Sequence, residues 1–502
     1  MPRGARYPLT TKPWLGVRWK PGHQGPPAVG LRDVLVHAQD IAALTVSPPP
    51  ALSALYRILY ALTARVTGLD EARKGREDWL DRRADVLHTG IDAQRVDDYL
   101  EPLSESFDLF GPRPFLQDPR LAEQCPKPAG VNKLLFGRSA GNNHSWFGHH
   151  RDAAPHLPQA PEAALHLLMW LYYGPSGRCG TRNVEKASAA DVSAGPLRSS
   201  LSYHPEGSTL LESLLAGLVP PETTDRAETD LCPWERPGPL DPLSAPETGK
   251  GPCSRLTSGW QHAVLLVPDE DGRTVKDAYV TWAHRQKLPR TDDAYLIWQT
   301  SQQGNPYPRY ADSGRALWRD LDALLLKNAT GAGRPRRPTV LASTAELEEV
   351  LDNLAVRALG FEQDGKTKDV QYVSATTPPV LANIDDNEPE LAHSIGALRV
   401  AGERYGGRLA WAVKKAWADI TESNKVGECA WSDQAAALYW PAAEALFWTR
   451  LQARDFEGGW RDFRRSALDT FERVTDSAPP TPRAVRAVEE ARLEIFGGRR
   501  RR

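Results

Sequence analysis

The 502-residue sequence predicts an α+β protein, a large mixed α/β N-terminal domain with β-hairpins and long loops followed by a C-terminal four-helix bundle. Three observations carry this. The runs His262-Ala263-Val264-Leu265-Leu266-Val267 and Asp277-Ala278-Tyr279-Val280-Thr281-Trp282 flank the acidic turn Asp269-Glu270-Asp271-Gly272, a hairpin pattern. Strand signals cease after Pro378-Pro379. Beyond it come four segments of helical periodicity, roughly 390–420, 433–451, 460–474 and 482–496, parted by short polar or Gly/Pro breaks. The boundary divides the chain into 1–378 and 379–502.

In chain order, Tyr7-Pro8-Leu9 through Trp19 alternates like a short strand pair. Residues 51–69 form a helix with Leu52, Leu55, Tyr56, Leu59, Tyr60 and Leu62 on its apolar face, and 94–103 a second with Val96, Tyr99 and Leu103. Residues 137–161 turn polar and are too long for a simple connection. An apolar helix over 163–173 stops at Gly174-Pro175-Ser176-Gly177-Arg178-Cys179-Gly180, where glycine and proline leave an exposed loop. Residues 219–257 are proline-rich and irregular.

Lys and Arg number 62 against 64 Asp and Glu, so net charge selects no partner and any nucleic-acid contact must come from local patches. No apolar run reaches the length of a membrane span, and Met1-Pro2-Arg3-Gly4-Ala5-Arg6 lacks a signal peptide's core, so a cytoplasmic protein without membrane contact is expected. Cys125, Cys179, Cys232, Cys253 and Cys429 are scattered, which argues against a disulfide framework or structural zinc. Sixteen tryptophans against two methionines point to rigid aromatic packing.

Catalytic patterns fail on context. His150-Arg151-Asp152 spells the kinase triplet, but Leu157 stands where its asparagine is needed. His149, His150, Asp152 and His156 are metal-ligand types on one loop, without a fixed second shell. The turn at 269–272 lacks calcium-loop spacing. Gly360-Phe361-Glu362-Gln363-Asp364-Gly365-Lys366-Thr367 fits the phosphate-loop pattern G-x-x-x-x-G-K-[ST]. Such a loop needs a strand before it and a helix after it. Here Ser343-Thr344-Ala345-Glu346 reads as a capping box opening a helix through Leu347, Val350, Leu351, Leu354 and Leu359, and Val370 to Thr376 reads as a strand. Asp364-Gly365 is therefore a hairpin turn, and neither an enzyme nor a cofactor is expected.

The remaining inventory of glycine-bearing loops, aromatics and isolated cations suits nucleic-acid handling or a protein scaffold. The order of segments separates the two. Lys12-Pro13-Trp14-Leu15-Gly16-Val17, Arg113-Pro114-Phe115-Leu116-Gln117, Asn132-Lys133-Leu134-Leu135-Phe136-Gly137, Gly174-Pro175-Ser176-Gly177-Arg178, Gly195-Pro196-Leu197-Arg198, Gly207-Ser208-Thr209-Leu210-Leu211 and the helical C-terminus succeed one another. In this order the chain resembles the CasA family, the large subunit of the type I-E CRISPR surveillance complex Cascade.

The resemblance implies a noncatalytic subunit whose domain 1–378 reads the protospacer-adjacent motif in double-stranded DNA from the minor groove. It also implies help in opening the duplex for guide-RNA pairing and R-loop formation, and recruitment of the helicase-nuclease. Its partners would be target DNA, the CRISPR guide RNA, the backbone, small and guide-5′-end-binding subunits, and that nuclease. By position, the family's glycine loop falls on Ser176, Gly177, Arg178 and Gly180, and its lysine finger on Lys287, with Arg285 as fallback. The duplex wedge falls on Gln363, Asp364, Gly365 and Lys366, where Gln363 would bond a freed base edge and Lys366 a phosphate. The loop 138–150, through Asn142, Asn143, Trp146 and Phe147, would meet the guide RNA and the neighbouring subunit. In the bundle, Arg404, Lys414 and Lys415 would face the displaced strand. The rivals are a P-loop NTPase using Gly360 to Thr367 and a protein-interaction scaffold without nucleic-acid binding.

Overall fold

Short apolar strands at the N-terminus build the first sheet. β1 (Leu15–Trp19) lies between β2 (Ala28–Val29) and β3 (Ile41–Leu44), antiparallel to both. The structure, a computed structural model, describes residues 4–71, 74–140, 149–245, 248–286, 292–327, 333, 335–364, 368–422 and 429–498. Two compact units emerge, one of Met1–Ser313 with Pro338–Ala382, the other of Gly314–Arg337 with Asn383–Arg502.

In the first unit the helix Pro49–Thr67 is apolar almost all round and buried almost throughout, as expected of an element surrounded by others. Pro48 and Pro49 start it, and Gly68, at φ 70°, ends it in the left-handed conformation. Helices Ala93–Leu100 and Ala160–Tyr173 follow close to the predicted spans. β4 (Gly177–Val184) pairs with β5 (Ala187–Val192). β6 (Leu201–Glu206) enters a three-stranded sheet with two later strands, and β7 (His262–Pro268) pairs with β8 (Val275–Trp282) as the predicted hairpin. Asp269 caps its acidic turn, accepting from Arg273 N, Thr274 N and the Thr274 hydroxyl, which makes the carboxylate a turn-former. β9 (Trp298–Thr300) and β10 (Pro306–Pro308) form a small ribbon.

β11 (Ala355–Asp364) pairs with β6 on one side and with β12 (Lys368–Thr376) on the other. This corrects one expectation. The helix predicted from 343 to 359 does not form: a helix Val340–Thr344 ends there, a 3-10 turn covers Leu351–Asn353, and a strand enters the motif. Ser343 and Thr344 do not cap a helix start, since their hydroxyls bond the carbonyls of Leu218 and Ala216 at 3.1 and 2.8 Å. Leu347, Val350, Leu351 and Leu354 fit a helical spacing but are set by turns, and from Ala355 onward the apolar residues are buried on both faces of a central strand, which gives the same composition as a helix. A strand therefore does precede the motif. The element after it is the antiparallel strand β12, so no helix N-terminus is present to hold phosphates. Gly360 has a packing reason, because a Cβ there would stand 2.7 Å from the Ser200 carbonyl oxygen.

Three buried histidines of this unit are held neutral. Burial and the charges of Arg57 and Arg357 push His204 well below its ordinary value. Burial brings His166 and His262 down to about 4. Each takes up a proton in the unfolded chain from about pH 6.5 downward but stays neutral in the fold. The unfolded state then binds more protons, so stability falls as the pH is lowered, by up to about 1.4 kcal/mol per pH unit per histidine. Urea midpoints should drop steeply between pH 6.5 and 4.5, and His204→Gln should flatten that slope.

In the second unit the helices Pro389–Thr421, Ala430–Gln452, Gly459–Thr475 and Pro482–Phe496 match the four predicted segments closely. Its core also takes in the turn Leu317–Asp320. Trp318, fully buried, lies with its ring 5.0 Å from Phe447 and 6.2 Å from Phe463, and a Cβ on Gly402 would sit 2.6 Å from it. Glu403 receives Arg315 and Arg319 at 3.2 and 2.7 Å. No helix among the described residues is long and apolar enough to cross a membrane.

Candidate nucleic-acid interface

The apolar helix Ala160–Tyr173 ends at Gly174 as expected, but the residues beyond it do not form an exposed loop. Gly177, at φ 123°, opens β4, and Arg178 pairs in register with Asp191 of β5 before a bulge leads to Arg182. Gly180 is pinned from below: its carbonyl accepts from the Thr281 hydroxyl at 2.5 Å, and a Cβ would meet the Val280 carbonyl at 3.1 Å. The glycines thus let β4 lie against β8. Gly177 and Arg178 are exposed, and Arg178 has no ion pair among the described residues. Ser176 remains in the connection. Burial raises the thiol of Cys179, which faces Thr281 at 3.6 Å.

Trp282 at the end of β8 is fully buried between two guanidinium groups, Arg182 and Arg285, each 5.2 Å from its ring. Arg182, itself buried, donates to Asp118 at 2.6 Å, Gln124 at 2.8 Å and the Trp282 carbonyl at 2.9 Å. Burial pushes the Asp118 carboxyl up, but hydrogen bonds and charge from Arg120 and Arg182 outweigh it and hold the group below its ordinary range. Arg285 donates to the Asp191 carbonyl at 3.0 Å, so the proposed fallback for Lys287 braces β5. Lys287 itself lies outside the described residues. Beyond it, Asp293 is tied to buried Arg57 at 3.0 and 3.1 Å, while Trp298 Nε1 donates to the Asp293 carbonyl at 3.1 Å. Arg57 also donates to the Ser53 and Ser202 hydroxyls at 3.1 and 3.2 Å. Both ends of the segment bearing Lys287 are thereby fixed.

The hairpin β11–β12 is anchored in a different way from the sequence expectation. Gln363 is only 6% exposed. Its amide nitrogen donates to Asp369 at 2.7 Å, its amide oxygen accepts from Ser199 N at 3.1 Å, and its carbonyl accepts from the Ser199 hydroxyl at 3.0 Å. Arg198 adds an ion pair to Asp369 at 2.8 Å. Gln363 therefore has no amide group to offer a freed base in this structure. Gln363 lies on the same face of β11 as buried Leu359 and Phe361, so strand alternation turns it inward, while across from it β12 carries a bulge in which Glu362 opposes Gln371, Gln363 opposes Asp369 and Val370 is the extra residue. Asp364 is exposed, whereas Gly365 and Lys366 lie outside the described residues, as do Asn142, Asn143, Trp146 and Phe147.

A cleft of about 980 Å³ brings these parts together. Ser176, Arg198, Ser199, Asp292, Gln363 and Asp364 line it, so the start of β4, the root of the 287–291 segment and the hairpin share one cavity. Sequence reasoning missed Arg198, Ser199 and Asp293 as supports; Gly195-Pro196-Leu197-Arg198 stood out only as a landmark. In the bundle, Arg404 is exposed, Lys414 is half-buried, and Lys415 is paired with Glu494 at 3.0 Å. Of the loop residues weighed as metal ligands, Asp152 accepts from Asn132 at 2.9 Å and the His156 carbonyl accepts from Arg138 at 2.7 Å. Among the described residues no three His, Cys, Asp or Glu side chains gather as a metal site.

Comparison with known proteins agrees across nearly the whole length. The CRISPR-associated protein Cse1 family profile matches residues 8–477. A CRISPR-associated protein CasA/Cse1 of Thermus thermophilus is 27% identical over 490 residues, covering 92% of this chain and 90% of the relative. A chain in a solved CRISPR RNA-guided surveillance complex is 41% identical, with a TM-score of 0.89 over 98% of this chain and 99% of that one. The crystal structure of T. thermophilus CasA (Cse1), at 22% identity and a TM-score of 0.76 over 98% of each chain, shares the fold. With the family profile matched over most of its length and the fold shared, the chain belongs to the CRISPR-associated protein Cse1 family.

Proposed function

We propose that this chain is the noncatalytic large subunit of a cytoplasmic CRISPR RNA-guided surveillance complex, in which it reads a short protospacer-adjacent motif in duplex DNA from the minor groove. It helps part the duplex for guide-RNA pairing and recruits a helicase-nuclease. The solved complex that it resembles at 41% identity supports assembly with guide RNA and further subunits. The observation that carries the motif reading is the shared cleft, where the β4 edge, the root of the Lys287 segment and the hairpin converge on one cavity. Glycine at 177 and exposed Arg178 give duplex DNA a close backbone approach and a cation for the groove. Lys287 donates to groove acceptors, and the tip at 364–366 parts the first base pairs while Gln363 anchors it from inside. The loop 138–150 meets the guide RNA and its neighbouring subunit, and Arg404 and Lys414 face the displaced strand.

The test is a titration of the assembled complex, with and without this chain, against duplexes that carry or lack the motif. Motif-dependent binding should require the chain, and Lys287→Ala should weaken it about tenfold, the scale of one lost base-edge contact. Binding that ignores the motif would overturn the proposal; unchanged affinity in Lys287→Ala alone would move the contact to another residue.

A further inference from the structure

The cleft carries an aromatic side chain that the functional reading leaves unused. Tyr310 is 54% exposed, although the backbone around it is tightly held. Arg309 N donates to the Ile297 carbonyl at 2.8 Å, and Ala311 N to the Ser199 carbonyl at 2.8 Å. Tyr310 itself bridges to Ser200 in antiparallel register. Ser199 is the residue that holds Gln363, so ring and hairpin are mounted on the same short segment. The ring is backed by Tyr307, centroids 6.1 Å apart, and lines the cleft with Val370, itself exposed at the bulge.

The charges around it are wrong for phosphate. Among the described residues, each arginine on the cleft is engaged by a carboxylate: Arg57 by Asp293, Arg198 by Asp369 and Arg255 by Asp225. Glu362, Asp364 and Asp292 add carboxylates to the same lining. A backbone phosphate is repelled there, while a base edge bearing N–H groups finds acceptors and a π-face.

We propose that this cleft takes up an unpaired nucleobase, the first one released where the hairpin parts the duplex, and that Tyr310 is the face on which it stacks. This rests on the reading of the chain as a motif-dependent duplex opener. The test uses the assembled complex with wild-type chain, Tyr310→Ala or Tyr310→Phe, and duplexes with or without the motif carrying 2-aminopurine at the first position beside it. In the wild type the probe should stay dim on binding, since it passes from one stack to another. In Tyr310→Ala it should brighten, and affinity for the motif duplex should fall about tenfold, the range of one aromatic–base stack, with motif preference kept. Tyr310→Phe should behave as wild type. A wild-type complex that prefers the motif, together with a Tyr310→Ala complex equal to it in fluorescence and affinity, overturns this inference alone. A wild-type complex without motif preference overturns the functional reading, and this inference with it.

Discussion

Exchanging Gly365-Lys366-Thr367 at the hairpin tip for a two-residue Asn-Gly turn is expected to slow opening of an intact motif-bearing duplex about 100-fold and to leave binding of a pre-opened duplex within about twofold. The magnitude comes from stacking. Each base-pair step lost costs about 1.4 kcal/mol, so a tip that compensates for two steps contributes about 2.8 kcal/mol, or about 100-fold in rate. The fold should tolerate the exchange, because the hairpin is secured below its tip by Gln363, Ser199, Asp369 and Arg198. R-loop formation followed by permanganate footprinting on matched and bubble duplexes measures both arms. Equal loss on both duplexes would mean that the tip contributes to binding and does not part strands. Gln363→Ala, by contrast, removes the acceptor of the buried Ser199 N and one donor to Asp369, so it should act through hairpin stability.

The second large effect lies in the helical unit. Trp318→Ala should destabilise that unit by about 3 to 5 kcal/mol, the usual cost of removing a fully buried large aromatic side chain. Trp318 is the hub of its core: Phe447, Phe463 and Trp440 surround the indole, and Gly402 lets the longest helix approach it. Chemical denaturation of the full chain, read by tryptophan fluorescence and far-ultraviolet circular dichroism, checks this. A loss below about 1 kcal/mol would mean that the aromatic cluster repacks around the cavity.

How much of this was legible in the sequence depended on the length over which a pattern repeats. The bundle helices were readable because 15 to 33 residues of helical periodicity outweigh local noise. The attachment of Gly314–Arg337 to that unit was not, since its elements Leu317–Asp320 and Leu321–Leu325 are too short to display a face. The stretch 343–359 misled because its first part is a series of short turns that happens to keep helical spacing, and its last five residues are buried on both faces of a central strand, a composition that fits a helix equally well. The hairpin itself was readable from Asp364-Gly365 and the strand after it. The anchoring role of Gln363 was hidden, because this polar residue follows Leu359 and Phe361 on the buried face and its partner Ser199 lies 164 residues away. The ion pair between Arg57 and Asp293 joins residues 236 apart in sequence, and no local pattern marks it. Tyr310 was missed for the same reason, as its meaning comes from the neighbours that Ser199 and Ser200 provide.

Reading of the motif from the minor groove is tested with base analogues in the motif. Inosine for guanine, or 2,6-diaminopurine for adenine, changes the 2-amino group in the minor groove and leaves the major-groove edge intact. The 7-deaza analogues remove the major-groove N7 acceptor instead. With the complete complex, at least one motif position should change affinity about tenfold on a minor-groove edit, and none should respond to 7-deaza substitution. Affinity that tracks the 7-deaza edits and ignores inosine and diaminopurine would contradict the account.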